Sequence, residues 1–260
     1  MKKRIVFLLG TAVLIATILI MLKGYLLIIP DAQGTGYPSS VSDFNQTGEY
    51  QFDPERTLTE LDKASLELRT PVPITLEVYE KPLPEGSSFL WDSSVYMKIA
   101  ELLKNQIWGD GMPDWELYRM YFYADCQTPL NGFSIGDFVY FKPVQKENGY
   151  YYDTRELVIR PLYGRINWGS GNSYPRPLLG WKKIDQDKIR VAADEALQIA
   201  QDNGGRDARL AVNNECSISL SYNPNVNSND WILVISHNNE LPNIFKIQID
   251  PYTGKSSIAE

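Results

Sequence analysis

The sequence predicts an α+β protein, in which an N-terminal transmembrane helix is followed by two tandem units, each of one helix packed on an antiparallel β-sheet. Two observations predict this fold class. Residues 5–22 form an uninterrupted run of 18 apolar or small residues. Further along, two segments with the period of an amphipathic helix each precede segments in which apolar and polar residues alternate, as in half-buried strands. The predicted parts are a basic tip and transmembrane helix at 1–30, a flexible stalk at 31–50, a first unit at 51–180 and a second unit at 181–260.

The N-terminal run is long enough to anchor the chain in a membrane. About 20 apolar residues cross the hydrocarbon core of a bilayer as a helix, and the apolar character continues here to residue 29. Basic residues at 2–4 precede the run, and such clusters stay in the cytoplasm. We therefore expect contact with the membrane through residues 5–29, a cytoplasmic N-terminus and an extracytoplasmic C-terminal part. The alternative is a cleaved signal peptide, whose apolar core is usually only about 7–15 residues and ends in a small-residue cleavage site.

The composition is that of a folded protein with an acidic surface. Hydrophobic residues make up 43% and charged residues 22% of the chain, so extensive disorder is not expected. All 32 acidic residues but only 21 of the 25 basic residues follow residue 30, which gives the exported part a net charge of −11. Such a charge repels phosphate groups, and no nucleic-acid partner is therefore expected.

The first unit is predicted from one clear helix and several strands. Asp92 or Ser93 caps the helix, and the glycines at 109 and 111 end it. Its buried face is predicted to hold Tyr96, Ile99, Ala100, Leu103 and Ile107. The other predicted elements are a short helix within 53–68, strands at 74–78, 115–124, 137–142 and 156–162, and a Gly/Ser/Pro-rich link at 169–177.

The second unit repeats the order of a helix, a glycine stop and strands. Asp185 or Asp187 is predicted to cap the helix, and the Asn-Gly-Gly at 203–205 is predicted to end it. Gly254 supplies a residue with positive φ in the turn that follows the last predicted strand. The predicted buried stripe of the helix is Ile189, Ala192, Ala193, Ala196, Leu197 and Ala200. The predicted strands are 216–222, 231–235 and 244–249.

The second unit also resembles a known family. Its helix region IDQDKIRVAADEALQIAQDNGG, the strand with Trp231, and the ending FKIQIDPYTGKSSI resemble the PepSY domain. The matching turn residues are Asp250, Thr253, Gly254 and Lys255, and the matching helix residues are Ala192, Ala196 and Ala200. The likeness covers about the last 75 residues, whereas the first unit lacks the Asp-x-x-Thr-Gly ending. The resemblance implies a helix against an antiparallel sheet, a binding or peptidase-modulating role outside the membrane, and no catalytic residues.

Cys126 and Cys216 are the two cysteines of the chain, and each follows its predicted helix at a similar distance. Outside the cytoplasm such a pair can oxidise to a disulfide. Two buried free thiols are an equally acceptable interpretation. Two cysteines are too few for a structural zinc site.

The residues with catalytic chemistry are sparse and scattered. His237 is the single histidine, and it stands at the end of a predicted strand, where a turn residue is expected. Asp110 and Asp114 are close in sequence, but their loop lacks the spaced oxygen ligands of an EF-hand, so calcium is not expected. The many tyrosines suit half-buried strands better than a sugar-binding or peptide-binding surface. We expect no catalytic, cofactor-binding or metal-binding residues.

These observations predict a membrane-anchored, extracytoplasmic binding or regulatory protein that is not an enzyme and has a protein or cell-envelope partner. One alternative is a membrane-anchored hydrolase that uses two carboxylates and acts on envelope glycans or peptides. The other alternative is an accessory subunit of an envelope complex, in which the anchor helix itself makes the contact.

Overall fold

The computed structural model describes residues 47–59, 61, 66–69, 90–108, 115–146, 149–170, 180–237 and 243–259. The predicted membrane anchor, most of the predicted stalk and the predicted strand at 74–78 lie outside these residues. In the part of the chain that is described, no helix combines the length and the apolar character needed to cross a membrane.

The described chain contains four α-helices and nine strands. The helices are α1 (Pro54–Thr59), α2 (Ser93–Trp108), α3 (Ala193–Ala200) and α4 (Arg206–Ala211). The strands are β1 (Thr47–Gln51), β2 (Glu116–Asp125), β3 (Phe133–Lys146), β4 (Gly149–Arg160), β5 (Arg165–Ser170), β6 (Ser217–Tyr222), β7 (Trp231–Ser236), β8 (Phe245–Ile249) and β9 (Ser256–Ile258). All nine strands pair in one antiparallel sheet, in the order β1-β5-β4-β3-β2-β6-β7-β8-β9.

The predicted fold class, two tandem units with separate sheets, is wrong. β2 and β6 pair along their length, from Met120 opposite Tyr222 to Asp125 opposite Ser217, so residues from both predicted units share one sheet. One hydrophobic core also extends across the β2–β6 pair. In separate units, β2 and β6 would each expose unpaired backbone groups at a sheet edge, and pairing with each other satisfies those groups.

The predicted helix of the first half is confirmed as α2. Tyr96, Ile99, Ala100 and Leu103 are fully buried against the sheet, as the helical spacing predicted. The Tyr96 hydroxyl donates a hydrogen bond of 2.9 Å to the backbone carbonyl of Phe133 on β3. This bond satisfies the polar atom of a buried ring and attaches α2 to the middle of the sheet.

A carboxylate from α3 caps the N-terminus of α2. The backbone N–H of Ser93 donates to Oδ2 of Asp194 at 3.0 Å, and the Ser93 hydroxyl donates to the same oxygen. Asp194 also lies in the first turn of its own helix. Because a helix N-terminus favours negative charge, one carboxylate interacts favourably with two helices and joins them.

The helix of the second half begins later than predicted. Asp185 precedes a 3-10 turn, Gln186–Lys188, and α3 begins only at Ala193. The backbone N–H groups of Arg190 and Val191 both donate to the carbonyl of Pro251, at 3.0 and 2.9 Å. These long-range bonds hold the chain outside a helix at this point, so Asp185 and Asp187 cap no α-helix.

The predicted stop at 203–205 is a kink. After α3, the segment Gln201–Gly205 leaves helical geometry at Asn203 and at Gly204, whose φ is +109°, and the chain then continues as α4. A side chain at Gly204 would be strained by this φ and would meet the ring of Phe245 on β8. The glycine therefore lets the kink lie against the sheet.

The strands agree with the sequence in the centre of the sheet and differ at its edges. Strands close to β2, β6, β7 and β8 were predicted, because they alternate or are continuously apolar. β4 begins seven residues earlier than predicted. Three strands were not predicted: β1, whose first residues were assigned to the stalk, β5 and β9.

Candidate functional site

The two faces of the sheet differ in what covers them. Helices α2 and α3 contribute their buried residues to the main core, together with the inward side chains of the strands. Among the described residues, the opposite face carries a small second cluster at one end, formed by Tyr118, Val139, Phe141, Tyr152 and Trp181. No described helix contributes to this second cluster.

We call the outward side chains at the centre of β2, β6, β7 and β8, between Arg119 and Asp125 on β2, the open face. Successive residues of a strand point to opposite faces, and the neighbours of these side chains are buried in the core. Apart from the tyrosine at 123, which is 36% exposed, the open-face side chains are intermediate in exposure. The open face consists of Tyr121, Tyr123, Ser217, Ser219, Ser221, Ile232, Val234, Ser236, Lys246 and Gln248.

The register of the strands makes a trough in the open face. Tyr121, Ser221 and Ile232 lie side by side across β2, β6 and β7. In the adjacent row, Tyr123, Ser219 and Val234 do the same. Neighbouring strands are about 4.8 Å apart, so small serines form a floor between two taller walls that are about 10 Å apart.

The trough is uncharged. The rings of Tyr121 and Tyr123 have centroids 4.8 Å apart, and burial raises the pKa of Tyr123 to about 12, so its hydroxyl remains protonated at neutral pH. On the floor, the hydroxyls of Ser217 and Ser236 lie 3.1 Å apart, and the Ser221 hydroxyl donates to the Ile232 carbonyl at 3.4 Å. These side chains offer ring faces, methyl groups and neutral hydroxyls to a partner.

An ion cluster borders the trough on β2, β3 and β4. Nη2 of Arg119 donates to Oδ2 of Asp137 at 2.8 Å and to Oε1 of Glu156 at 2.9 Å. Asp137 is directly opposite Tyr121 in the sheet. Burial raises the pKa of Asp137 to about 6, because one guanidinium nitrogen serves two carboxylates and only partly offsets the desolvation.

This cluster bears on the alternative of a carboxylate-dependent hydrolase. Asp137 and Glu156 are two carboxylates close together, as that alternative requires. However, an oxygen of each is bound to the same nitrogen of Arg119, so both carboxylates are already paired with a cation. The geometry is that of one arginine that forms ion pairs with two carboxylates.

The raised pKa of Asp137 predicts a change of stability with pH. The folded protein holds this proton more tightly than the unfolded chain, in which an aspartate has a pKa near 3.9. The contribution is therefore fully present below about pH 4 and is lost as the pH rises through about 6. We expect Asp137→Asn to gain up to about 3 kcal/mol of unfolding free energy relative to wild type between pH 4 and pH 7.

The measurement is the urea unfolding of the full chain at a series of pH values, reported as the difference between variant and wild type. Asp187→Asn is the matched control, because it removes an exposed carboxylate. Its difference from wild type should be flat across the same range. A flat difference for Asp137→Asn as well would contradict the raised pKa.

The two cysteines are joined beside the strands that form the centre of the sheet. Cys126 follows β2, Cys216 precedes β6, and they form a disulfide with 5.6 Å between their Cα atoms. The sequence left open a disulfide or two free thiols, and the structure has the disulfide. Arg209, which is 9% exposed, donates from Nη1 to the Cys126 carbonyl at 2.6 Å and from Nε to Oε1 of Gln201 at 2.7 Å.

The remaining candidate residues are not brought together. His237 directly follows β7 and is half-buried, whereas Asp110 and Asp114 lie outside the described residues. Across the described ranges, no three histidine, cysteine or acidic side chains are grouped so that they could hold a metal ion. The sequence assigned the open-face tyrosines to half-buried strands rather than to a binding surface, and their alternation with the buried Phe122 places them on the outer face of β2.

No protein-family model matches the chain, and no curated protein or solved structure is significantly similar to it. The class of protein is therefore defined by the fold and the site alone. It is an antiparallel-sheet protein in which helices cover one face, while the centre of the other face presents tyrosine, serine and aliphatic side chains.

Proposed function

We propose that this chain is a membrane-anchored, extracytoplasmic binding or regulatory protein, not an enzyme, and that the open face contacts its partner. The composition of β7 carries this proposal. An antiparallel strand with one solvated face usually alternates apolar and polar residues, but residues 231–235 of β7 are all apolar. Ile232 and Val234 therefore face outward, across the serines of β6 from Tyr121 and Tyr123, and outward apolar and aromatic side chains on a sheet favour a surface that contacts a partner.

Two features support a location outside the cytoplasm. The disulfide between Cys126 and Cys216 is of a kind that persists in oxidising compartments. The apolar run at 5–29, with basic residues before it, predicts a single-pass anchor with the following chain outside. The two features are independent of each other, since one is a side-chain pairing and the other a pattern of hydropathy and charge.

The likeness to PepSY domains supports a binding role in the C-terminal part. Oδ1 of Asp250 accepts hydrogen bonds of 2.8 Å from the N–H groups of Tyr252 and Thr253, and Gly254 has φ of +70°. The residues that carry the likeness thus build the turn between β8 and β9. Turn-building residues carry no chemistry, and we propose that this part is a PepSY-like binding domain.

The location is tested by the accessibility of the chain in intact cells. Single cysteines placed at the exposed Asp187 or Val226, in a background without Cys126 and Cys216, should react with a membrane-impermeant maleimide. A cysteine at position 2 should react only after lysis, because the basic tip is expected in the cytoplasm. Protection of positions 187 and 226 in intact cells would disprove the extracytoplasmic location.

The contact surface is tested by photo-crosslinking. A photoreactive benzoylphenylalanine at Tyr123, in the full chain in intact cells, should form a covalent product with a macromolecule. The same residue at Tyr252, which has similar exposure but lies in the β8–β9 turn, is the matched control and should form little product. Equal or no product from the two positions would show that the open face is not the contact surface.

A further inference from the structure

We infer that the open face binds a second copy of this chain, face to face, about a two-fold axis that runs parallel to β6 and β7. The inference rests on the proposed function, because it names the partner of the surface proposed there. A glycan or another envelope protein on this face would give a different product in the crosslinking experiment described below.

The shape of the open face is complementary to itself. The trough floor on β6 consists of small serine side chains. The larger side chains of Ile232 and Val234 form a ridge on the neighbouring strand β7. A two-fold axis between these strands places β7 of each copy over β6 of the other. Because Ile232 is opposite Ser221 and Val234 is opposite Ser219 within one sheet, each ridge residue then lies over a serine of the other copy. Both ridges enter both troughs in one symmetric arrangement, as a two-fold interface requires.

The two-fold arrangement also buries the outward apolar side chains that a single copy leaves partly exposed. Sheets that pack face to face and aligned interdigitate their inner side chains at a separation of about 10 Å. In the dimer, the second copy covers Ile232 and Val234, so both faces of β7 are buried. This fits the continuous apolar run of that strand. The tyrosine wall on β2 borders the same contact, and tyrosine is enriched in protein interfaces.

The open face carries less negative charge than the chain as a whole. The chain has a net charge of −7, so two copies repel each other in general. The ten open-face residues include one side chain that is charged at neutral pH, Lys246, and they are bordered on β2 by the outward Arg119 and the exposed Asp125. The same two-fold axis places β8 of one copy over β2 of the other, with Lys246 over Tyr123 because both share the row of Val234 and Ser219. A lysine over a tyrosine ring is a favourable cation–π contact.

The size of the open face sets the strength of the dimer. Four strands and about three rows of side chains cover roughly 350 Å² per copy. The total is below the roughly 1,200 Å² of stable interfaces. The dimer is therefore weak in dilute solution and forms where membrane anchors hold many copies in one plane, which raises their effective concentration.

The test uses two full-length copies with different tags, produced together in one cell. Benzoylphenylalanine replaces Tyr123 in one copy, and the product is isolated through one tag and probed for the other. We expect a product that carries both tags and has twice the mass of the chain. Val234→Asp in both copies should lower its yield at least ten-fold, because each aspartate would be buried over a serine floor.

Two controls make the test specific for the arrangement. Val226→Asp makes the same substitution at an exposed residue outside the open face and should leave the yield unchanged. Combining Val234→Asp in one copy with Ser219→Lys in the other should restore the yield, because the two-fold axis places these positions in contact. Retention of the Cys126–Cys216 disulfide in each variant, read on non-reducing gels, shows that the chains have folded.

Each outcome decides between the proposals. A product with both tags and the charge-pair rescue support the dimer. A product that contains only a glycan or another protein overturns the dimer but supports the open face as a contact surface. Absence of any crosslinked product from position 123 overturns both the dimer and the open face as a contact surface. A dimer product without the charge-pair rescue overturns the two-fold arrangement.

Discussion

Removal of the Cys126–Cys216 disulfide should lower the free energy of unfolding by about 4 kcal/mol. The two cysteines are 90 residues apart, and a bond that closes a loop of this length removes much of the entropy of the unfolded chain. The bond also joins the end of β2 to the start of β6, the two strands at which the halves of the sheet meet. The variant Cys126→Ala/Cys216→Ala is preferable to serines, because Cys126 is fully buried and a hydroxyl would lack a partner.

The measurement is urea unfolding of the full chain, followed by tryptophan fluorescence. Reduced wild type is the control, because it lacks the bond but keeps both sulfur atoms, and it should unfold close to the double variant. Cys216→Ala alone should behave like the double variant. Unchanged unfolding of the double variant, while mass spectrometry finds the bond in wild type, would show that the disulfide contributes nothing to stability.

The parts of the fold that could be predicted from the sequence depend on local patterns. The spacing of Tyr96, Ile99, Ala100 and Leu103 is sufficient to place α2 and its buried face, because the period of a helix is set by its own backbone. The cap of that helix comes from Asp194, about a hundred residues later, and no local pattern contains it. The helix could thus be predicted, whereas its attachment to α3 could not.

The pairing of the strands shows the same limit at a larger scale. Alternation placed β2 and β6 as strands and identified their buried faces. It contains no information about which strands pair, and the β2–β6 pair brings together residues such as Tyr121 and Ser221 that are 100 positions apart. The error of two separate units followed from assuming that each helix closes its own sheet. Contacts of this range depend on the whole chain.

The open face could be predicted in part. Alternation with Phe122 and Leu220 puts the tyrosines of β2 and the serines of β6 on outer faces. The trough itself arises only from the register that sets Tyr123, Ser219 and Val234 in one row. Likewise, the raised pKa of Asp137 arises from its burial, to which the neighbouring Glu156 adds and which Arg119 only partly offsets, and no local pattern in the sequence contains these contacts.

Trp231→Ala should be the most damaging substitution in the core, with a loss of about 3–5 kcal/mol. Trp231 is 1% exposed, and its ring centroid lies 5.1 Å from that of Tyr222 and 6.4 Å from that of Phe122. It therefore packs against strands β2 and β6 from β7, and alanine would leave a large cavity at this junction. The indole N–H also donates to the carbonyl of Val191 at 2.9 Å, which holds the segment before α3 against the sheet.

A second variant separates the hydrogen bond from the packing. Trp231→Phe keeps most of the ring but leaves the Val191 carbonyl without its donor, and it should cost about 1–3 kcal/mol. Trp181→Ala is the matched control, since it removes the same side chain from a half-buried position against Phe141 on the opposite face, and it should cost less. Unfolding of the full chain in urea, followed by circular dichroism because a tryptophan is lost, gives all three values. If Trp231→Ala cost no more than Trp181→Ala, the junction of β2, β6 and β7 would not be the centre of the core, because burial there would contribute no more than burial at the edge of the second cluster.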